Sequence, residues 1–372
     1  MSNVSPPSRS APTIPDVARA AGVSTATAGR ALGGYGPVSD DARNRVLAAA
    51  ERLGYRANSL ARSMITGTTT TVAVVVADIE NPFFAQATRG VVDVARAEGF
   101  AVILANTDED VSAERAAVKV FLEKRVDGLI VAPASSSQQD HLAAIQETGA
   151  HLVLLDRGSP EIAADAVVID NHGAAHDAVR RLIAAGHRRI AIVTGASAVQ
   201  WDEDGALLHP IATAADRIAG YRRALVEAGI EPDPRYLQIA AIHQATDRDQ
   251  RHVAREQARA LLAMRPRPTA IFALDSVLAL GVLEGVQHSG LEIPDQVSVV
   301  GFDDADWATV VRPQVSVVSQ PINEMGALAA RRLIERIRGD AAAPKRHVLP
   351  TTFIARDSVA RPLGRRRRPK AG

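Results

Sequence analysis

From Val72 onward, short apolar runs bounded by turn residues alternate with segments of helical periodicity, and no other feature constrains the fold so tightly. The first series reads as strand 72–77, helix 83–98, strand 101–104, helix 111–124, strand 128–131, helix 138–148 and strand 152–156. The second reads as helix 172–185, strand 189–194, helix 217–228, strand 237–241, a helix to Met264, strand 270–273, helix 276–288 and strand 297–302. A strand buried on both faces needs a continuous apolar run, and helices interposed this regularly imply a parallel sheet covered on both sides. Two such series imply two α/β lobes. Ligands of doubly wound sheets sit beyond the carboxyl ends of the strands, and between two lobes those ends face one cleft. The length of 372 residues fits two or three domains.

Ahead of this alternation, residues 13–32 read as two short helices broken at Gly22. Thr13 is placed to cap the first helix, Asp16 to return the bond and Pro15 to sit in the first turn. Val17, Ala18 and Ala21 form its inner face. Gly22 supplies the positive φ that ends a helix, Val23 buries in the angle, and Ser24 caps a second helix running from Thr25 to about Leu32. A third helix, capped by Ser39 and carrying Val46, Leu47, Ala50 and Leu53, ends at Gly54 and completes a small core. Any small helical pair has this pattern, so the charge distribution has to decide between a packing unit and a DNA-reading helix-turn-helix.

Residues 1–71 hold eight arginines and four acids, a net of +4, and residues 361–372 add +6. With a whole-chain charge of +1, residues 72–360 therefore carry −9. A basic head suits phosphate, while an acidic body stays off the duplex. The first twelve residues have no apolar core that would act as a secretion signal, and no stretch approaches the roughly 20 apolar residues of a membrane span. Cytoplasm is the default compartment, with nucleoid association when DNA-bound. Zero cysteines exclude disulfides and thiolate metal sites, and neither a metal nor a cofactor is expected.

Several segments, in order, carry a resemblance: Asp-Val-Ala-Arg-Ala-Ala-Gly-Val-Ser at 16–24, Arg-Val-Leu-Ala-Ala-Ala-Glu-Arg-Leu-Gly-Tyr at 45–55, Asn-Ser-Leu-Ala-Arg-Ser-Met at 58–64, Asn-Pro-Phe-Phe at 81–84, Arg-Val-Asp-Gly-Leu-Ile at 125–130, Gly-His-Arg-Arg-Ile-Ala at 186–191 and Val-Gly-Phe-Asp-Asp at 300–304. From Thr13 to about residue 360 the chain resembles the lactose-repressor/galactose-repressor (LacI/GalR) family of bacterial transcriptional regulators. The resemblance implies an N-terminal all-α helix-turn-helix domain and a periplasmic-binding-protein-like (type I) core of two α/β lobes. The chain would cross between the lobes near 169–173, 303–306 and 317–321. The organisation expected is an extension at 1–12, the DNA-binding domain at 13–57, a hinge helix and linker at 58–71, the effector-binding and dimerisation core at 72–360 and a basic tail at 361–372. The implied partners are a palindromic double-stranded operator, a carbohydrate-like small molecule and a second copy of the chain.

Carried over residue by residue, the base-reading positions fall on Thr25, Ala26 and Arg30, with Ser24 and Thr27 suited to phosphate. Arg30 offers two donors to a guanine edge, whereas Ala26 offers only a methyl group. Ala28, Gly29 and Gly33 depart from the family's usual valine, serine and asparagine, which puts two polar contacts in doubt. In the linker, Asn58, Ala61 and Met64 fall on a hinge helix that is marginal alone and folds when held in the minor groove. The wedge position is Met64, where leucine is usual, and methionine is able to unstack a base step. A plain amphipathic linker is the other reading.

At the cleft, Asn81, Phe83 and Phe84 follow the first strand. Arg217 is read as opening a helix, and Asp275 follows strand 270–273. A guanidinium and a carboxylate at strand ends grip vicinal hydroxyls bidentately, and these positions match the family's effector contacts; pairing with each other or with helix caps is the structural alternative. A segment at 197–213, about ten residues longer than usual, brings Trp201, Asp202, Glu203, Asp204 and His209 either to the cleft or to a surface excursion. The pair Asp303-Asp304 invites an acid/base reading, but no activated nucleophile, metal cluster or phosphate loop accompanies it, so carboxylates on a crossing strand are preferred to an enzyme. A solute-binding protein without a regulatory role is the rival for the core alone. Without leucine heptads in the tail, a dimer is expected.

Overall fold

The computed structural model describes residues 12–55, 68–196, 200–201, 207–208, 212–241 and 247–362. Asn58, Ala61 and Met64, and with them the expected hinge helix, lie outside the described residues, as does the tail beyond residue 362. The chain forms two compact units, divided at Thr69/Thr70.

The first unit holds α1 (Ile14–Ala21), α2 (Thr25–Gly33) and α3 (Asp40–Leu53). The Thr13 amide and hydroxyl both donate to the Asp16 carboxylate, at 3.0 and 2.6 Å. Gly22, Gly34 and Gly54 end the three helices at φ +65°, +72° and +65°, a conformation that is costly for a residue with a Cβ. Ser39 caps α3 by accepting from the Ala42 amide. The core is made mostly of alanines, with Ala18, Ala21, Ala28, Ala31, Ala49 and Ala50 packed around Val17 and Val46. Leu47 and Leu53 are exposed, against expectation. Leu47 is turned about 100° from Val46 on the helix, Leu53 lies in the last turn, and Ala42 and Ala49 fill the inner face.

The second unit is built on two six-stranded sheets, with a small two-stranded one beside them. In chain order the first half runs β1 (Thr71–Val76), α4 (Pro82–Ala97), β2 (Ala101–Asn106), α5 (Val111–Glu123), β3 (Gly128–Val131), α6 (Asp140–Glu147), β4 (His151–Leu155) and β5 (Asp165–Ile169). Next come α7 (Asn171–Ala184), β6 (Ile190–Ala196), the short strands β7 (Gln200–Trp201) and β8 (Leu207–Leu208), α8 (Ala212–Glu227), β9 (Leu237–Ala241), α9 (Asp247–Ala263), β10 (Ala270–Ala273), α10 (Ser276–His288) and β11 (Ser298–Phe302). The last elements are α11 (Trp307–Val310), β12 (Ser316–Ser319), α12 (Ile322–Ile337), β13 (Arg346–Leu349) and β14 (Thr352–Ile354).

One sheet has the order β13-β5-β4-β3-β1-β2 and the other β14-β12-β11-β10-β6-β9. Their cores repeat one scheme: the strand that opens each lobe, β1 or β6, lies between the next strand and the one after it. Neighbours pair in parallel apart from β12 with β14. The point where the strand order reverses is where such sheets open a crevice at their carboxyl ends. The strands β1, β3 and β10 are buried along almost their whole length, as two-sided helix cover requires.

The chain crosses from the first lobe to the second between β5 and α7, and returns between β12 and α12, close to the expected 169–173 and 317–321. The crossing expected at 303–306 is not there. β11 and β12 pair in one sheet, with Val300 opposite Ser316, so residues 303–306 stay within the second lobe. The third crossing joins β13 to β14 at 350–351. After its return the chain is held on the first lobe by α12 against α4. A Cβ at Gly90 would lie 2.1 Å from the Asn323 carbonyl oxygen, and one at Gly326 only 1.9 Å from that of Ala87. Only glycines let these backbones meet.

Candidate functional site

In the first unit, α2 begins with the Ser24 hydroxyl accepting from the Thr27 amide at 3.1 Å. The two hydroxyls of Ser24 and Thr27 are 2.8 Å apart, and Arg30 Nη2 donates to Thr27 Oγ1 at 3.4 Å. Thr25 and Ala26 are exposed, Thr27 and Arg30 half-buried. Thr25, Ala26 and Arg30 lie within about 140° of one another around the helix, on the side away from the buried Ala28 and Ala31.

In the second unit, the two switch points meet at a cleft that is partly open to solvent. Asn81, Phe83, Phe84, Arg217 and Asp275 all line it. Asn81 caps α4, its Oδ1 accepting from the Phe83 amide at 2.9 Å. Its Nδ2 donates across the cleft to Asp275 Oδ2 at 3.1 Å, so the lobes touch through these two side chains. Asp275 in turn caps α10, its Oδ1 accepting from the Val277 amide at 2.6 Å. Phe83 and Phe84 stand edge-to-face with centroids 5.1 Å apart, and both are packed into the core as well as facing the cleft.

Arg217 does not open its helix. It lies in the second turn of α8, which starts five residues earlier than the sequence pattern indicates. Its guanidinium is buried, donating from Nε to Asn171 Oδ1 at 2.7 Å and from Nη1 to the Leu274 carbonyl at 2.6 Å. It also lies 3.7 Å from the centre of the Phe302 ring, a stacked cation–π contact. Among the described residues no carboxylate lies within ion-pair distance of it, so Arg217 and Asp275 do not pair with each other.

The first lobe adds residues that the sequence reading missed. Arg157 is clamped bidentately by Glu109, both bonds at 2.7 Å, and donates to the Pro133 carbonyl. Asp156 is buried beside it, and Asp78, also buried, lines the same cleft with an Oδ2 that has no hydrogen-bond partner among the described residues. Across the cleft Asp303 is buried and accepts from Gln320 Nε2 at 2.6 Å, while Gln320 Oε1 is left unpaired. Asp303 therefore faces the cleft instead of riding a crossing strand, and its neighbour Asp304 is turned away to pair with Arg356 at 2.7 Å.

Burial pushes the Asp303 carboxyl up to about 7, with Asp275 and Asp156 adding repulsion against the pull of Arg217. Burial likewise raises Asp156 and pulls Arg217 down against the attraction of Asp303. Four cleft residues other than glycine, Asp108, Glu109, Asp156 and Asp303, hold positive φ of 51°, 60°, 65° and 68°. Such backbone costs are sustained where they aim side chains into a site. The arrangement is a polar cleft whose buried donors and acceptors are not all matched by the protein itself.

Residues 13–58 match the model for bacterial regulatory proteins of the lacI family, and residues 179–359 match that for a periplasmic binding protein-like domain. Catabolite control protein A of Priestia megaterium is 36% identical over 356 residues, spanning 93% of this chain and 99% of that protein. This chain belongs to the LacI family. It is a DNA-binding transcriptional regulator with a helix-turn-helix head and a two-lobe α/β core. The ribose operon repressor of Haemophilus influenzae is 31% identical over 93% of this chain and 98% of its own. Among solved structures, a complex of the transcriptional regulator CelR with cellobiose superposes with a TM-score of 0.66 at 31% identity, covering 93% of this chain and 99% of that one. A LacI family regulator from Enterococcus faecium with bound ribose gives 0.65 at 27% identity, over 78% and 99%.

The segment at 197–213, expected to be longer than usual, includes the antiparallel pair of β7 with β8, Gln200 opposite Leu208. Asp202, Glu203, Asp204 and His209 lie outside the described residues. A signal for the missed cleft residues does exist in the sequence: Asp78, Asp156 and Asp303 all follow an apolar strand within two residues. Arg157, two residues past β4, shares it, whereas Glu109, three residues past β2, carries no such mark.

Proposed function

We propose that this regulator is a repressor, acting as a homodimer on a palindromic operator, whose affinity for DNA is controlled by a neutral sugar-like effector in the interlobe cleft. The observation that carries the effector class is the set of cleft groups: one buried guanidinium and several carboxylate and amide oxygens, with the guanidinium lacking an ion-pair partner and two of the oxygens lacking a hydrogen-bond partner among the described residues. A polyol, whose every hydroxyl both donates and accepts, matches such a lining. The carboxylate excess disfavours an anionic ligand. The related regulators solved with cellobiose or ribose support the same class.

In this reading Thr25, Ala26 and Arg30 read base edges, Ser24 and Thr27 seat on phosphate, and Asn58, Ala61 and Met64 supply the hinge and wedge at the minor groove. Half-sites lie one helical turn apart, about 34–36 Å. Asn81 and Asp275, which bridge the lobes, exchange that bond for ligand hydroxyls, and the lobe shift changes operator affinity by about 1–3 kcal/mol. Relief of repression by ligand is the sign proposed. A thermal-shift screen of neutral sugars, polyols and sugar phosphates, followed by DNA binding with each hit, tests this. A neutral sugar that stabilises the protein and releases DNA is the expected result; a screen in which only sugar phosphates stabilise it overturns the effector class.

A further inference from the structure

The recognition helix lacks side chains where a DNA-reading helix would use them most, and the structure shows what lies there. An α-helix turns by about 100° per residue, so Gly29 and Gly33 project between Thr25 on one side and Ala26 and Arg30 on the other. The two glycines thus occupy the middle of the face that the reading residues flank. A Cβ built on Gly33 would lie 2.3 Å from Tyr35 Cε1 and 2.5 Å from Cδ1, and one built on Gly29 would lie 3.8 Å from the Tyr35 hydroxyl. The phenol ring therefore lies along α2 from Gly33 toward Gly29, one turn from Thr25.

The local sequence places it there. The Gly34 and Tyr35 amides both donate to the Arg30 carbonyl, at 3.0 and 3.3 Å, closing the helix. Gly34 and Gly36 at φ +72° and +70° then fold the chain back over its own last turn. Gly36 lies against the Arg30 stem, where a Cβ would come within 3.0 Å of Cδ. Tyr35 is half-exposed, and no hydrogen bond to its hydroxyl is found among the described residues.

We propose that Tyr35 is a base-reading residue, its phenol supplied from the loop after α2 into the space left by Gly29 and Gly33. The hydroxyl there both donates and accepts, so it can bond a base edge in the major groove. The ring edge also gives the apolar contact that a thymine methyl takes. This rests on α2 being the helix that enters the groove. It assigns to one aromatic side chain the polar readout that the glycines at 29 and 33 cannot make, and it makes the two glycines a cradle for that ring.

The test starts from full-length protein and a randomised duplex pool. Enriching a palindrome with the unaltered protein establishes the DNA reading by itself; enriching none would defeat that reading and not the role of Tyr35. With the enriched duplex in hand, Tyr35→Phe should weaken specific binding about 3- to 10-fold, leave binding to random duplex unchanged, and relax base preference at one position per half-site. Gly33→Ala, which displaces the ring but keeps the hydroxyl, should relax the same position, with its thermal melt confirming the fold. Tyr35→Phe binding the selected duplex with unchanged affinity and preference overturns the proposal. So does equal loss on selected and random duplex, the mark of a phosphate contact.

Discussion

The two walls of the cleft each bury an arginine, and the two are held in opposite ways. On the first lobe, Arg157 is matched almost completely, by two bonds to Glu109 and one to the Pro133 carbonyl. On the second, Arg217 bonds, among the described residues, only to an amide oxygen and a carbonyl and stacks on Phe302, with Asp303, Asp156 and Asp275 around it but none of them paired to it. A charge already neutralised in place shapes a wall. An equally buried charge without a neutralising bond retains most of its attraction for a ligand oxygen, because the low local dielectric that makes it costly also strengthens what it can gain.

The comparison breaks most visibly by removing each guanidinium. Arg157→Met strands the Glu109 carboxylate in a partly buried site and should cost about 3–5 kcal/mol of core stability, read by urea unfolding. Arg217→Met leaves neutral acceptors behind, so its stability loss should be smaller, about 1–3 kcal/mol. Its main effect should be on the ligand, with roughly 100-fold weaker binding of the sugar found by thermal shift, about 2.7 kcal/mol. Equal stability losses with equal ligand affinities would erase the distinction between the walls.

Why one wall was legible in the sequence and the other was not follows from the same residues. Helix 276–288 was readable to the residue, because Asp275 caps its start and Ser289-Gly290 follow its end; strands 237–241 and 270–273 were bounded as closely although the residues after them, Ile242 and Leu274, are apolar. Asp275, which caps α10, was found by that rule. Arg217 was found through the family pattern, although its helix start was misplaced, since Ala212–Ala215 offers no apolar periodicity and follows the longer segment. Glu109 and Arg157 meet across 48 residues of sequence, and the positive φ that aims Glu109 is invisible where glycine is not used. Tyr35 was hidden for another reason, since Gly34 and Gly36 announce a turn but not the side of α2 on which the ring between them falls. In the head, alanines fill the core where Leu47 and Leu53 were expected to contribute, because those two leucines fall off the inner face of α3.

A finer test separates the two functions of Asp275. Its Oδ1 caps α10 and its Oδ2 takes the bond from Asn81 across the cleft. Asp275→Ala should lose about 1 kcal/mol through the cap and abolish the ligand response, with operator binding by mobility shift retained. Asp275→Ser keeps a capping oxygen but not the reach, so it should recover the stability and not the response. A Ser variant that responds to ligand normally would place the second wall's binding capacity elsewhere.

A last test concerns pH, and it measures how far the second wall's charge is left unbalanced. In the folded protein the Asp303 carboxyl holds its proton up to about 7 because burial outweighs the pull of Arg217, whereas an unfolded carboxyl releases it near 4. Between those values the folded state binds more protons than the unfolded one, so stability must fall as pH rises through that window. Asp303→Asn, which cannot ionise, should flatten this part of the ligand-free stability profile. Arg217→Met should steepen its upper end by removing the cation that opposes burial. Arg157→Met should leave the window where it is, since Arg157 answers Glu109 first. A profile in which Asp303→Asn changes nothing between pH 4 and 7 would mean that the second wall is balanced after all, and that its arginine is no freer than the first.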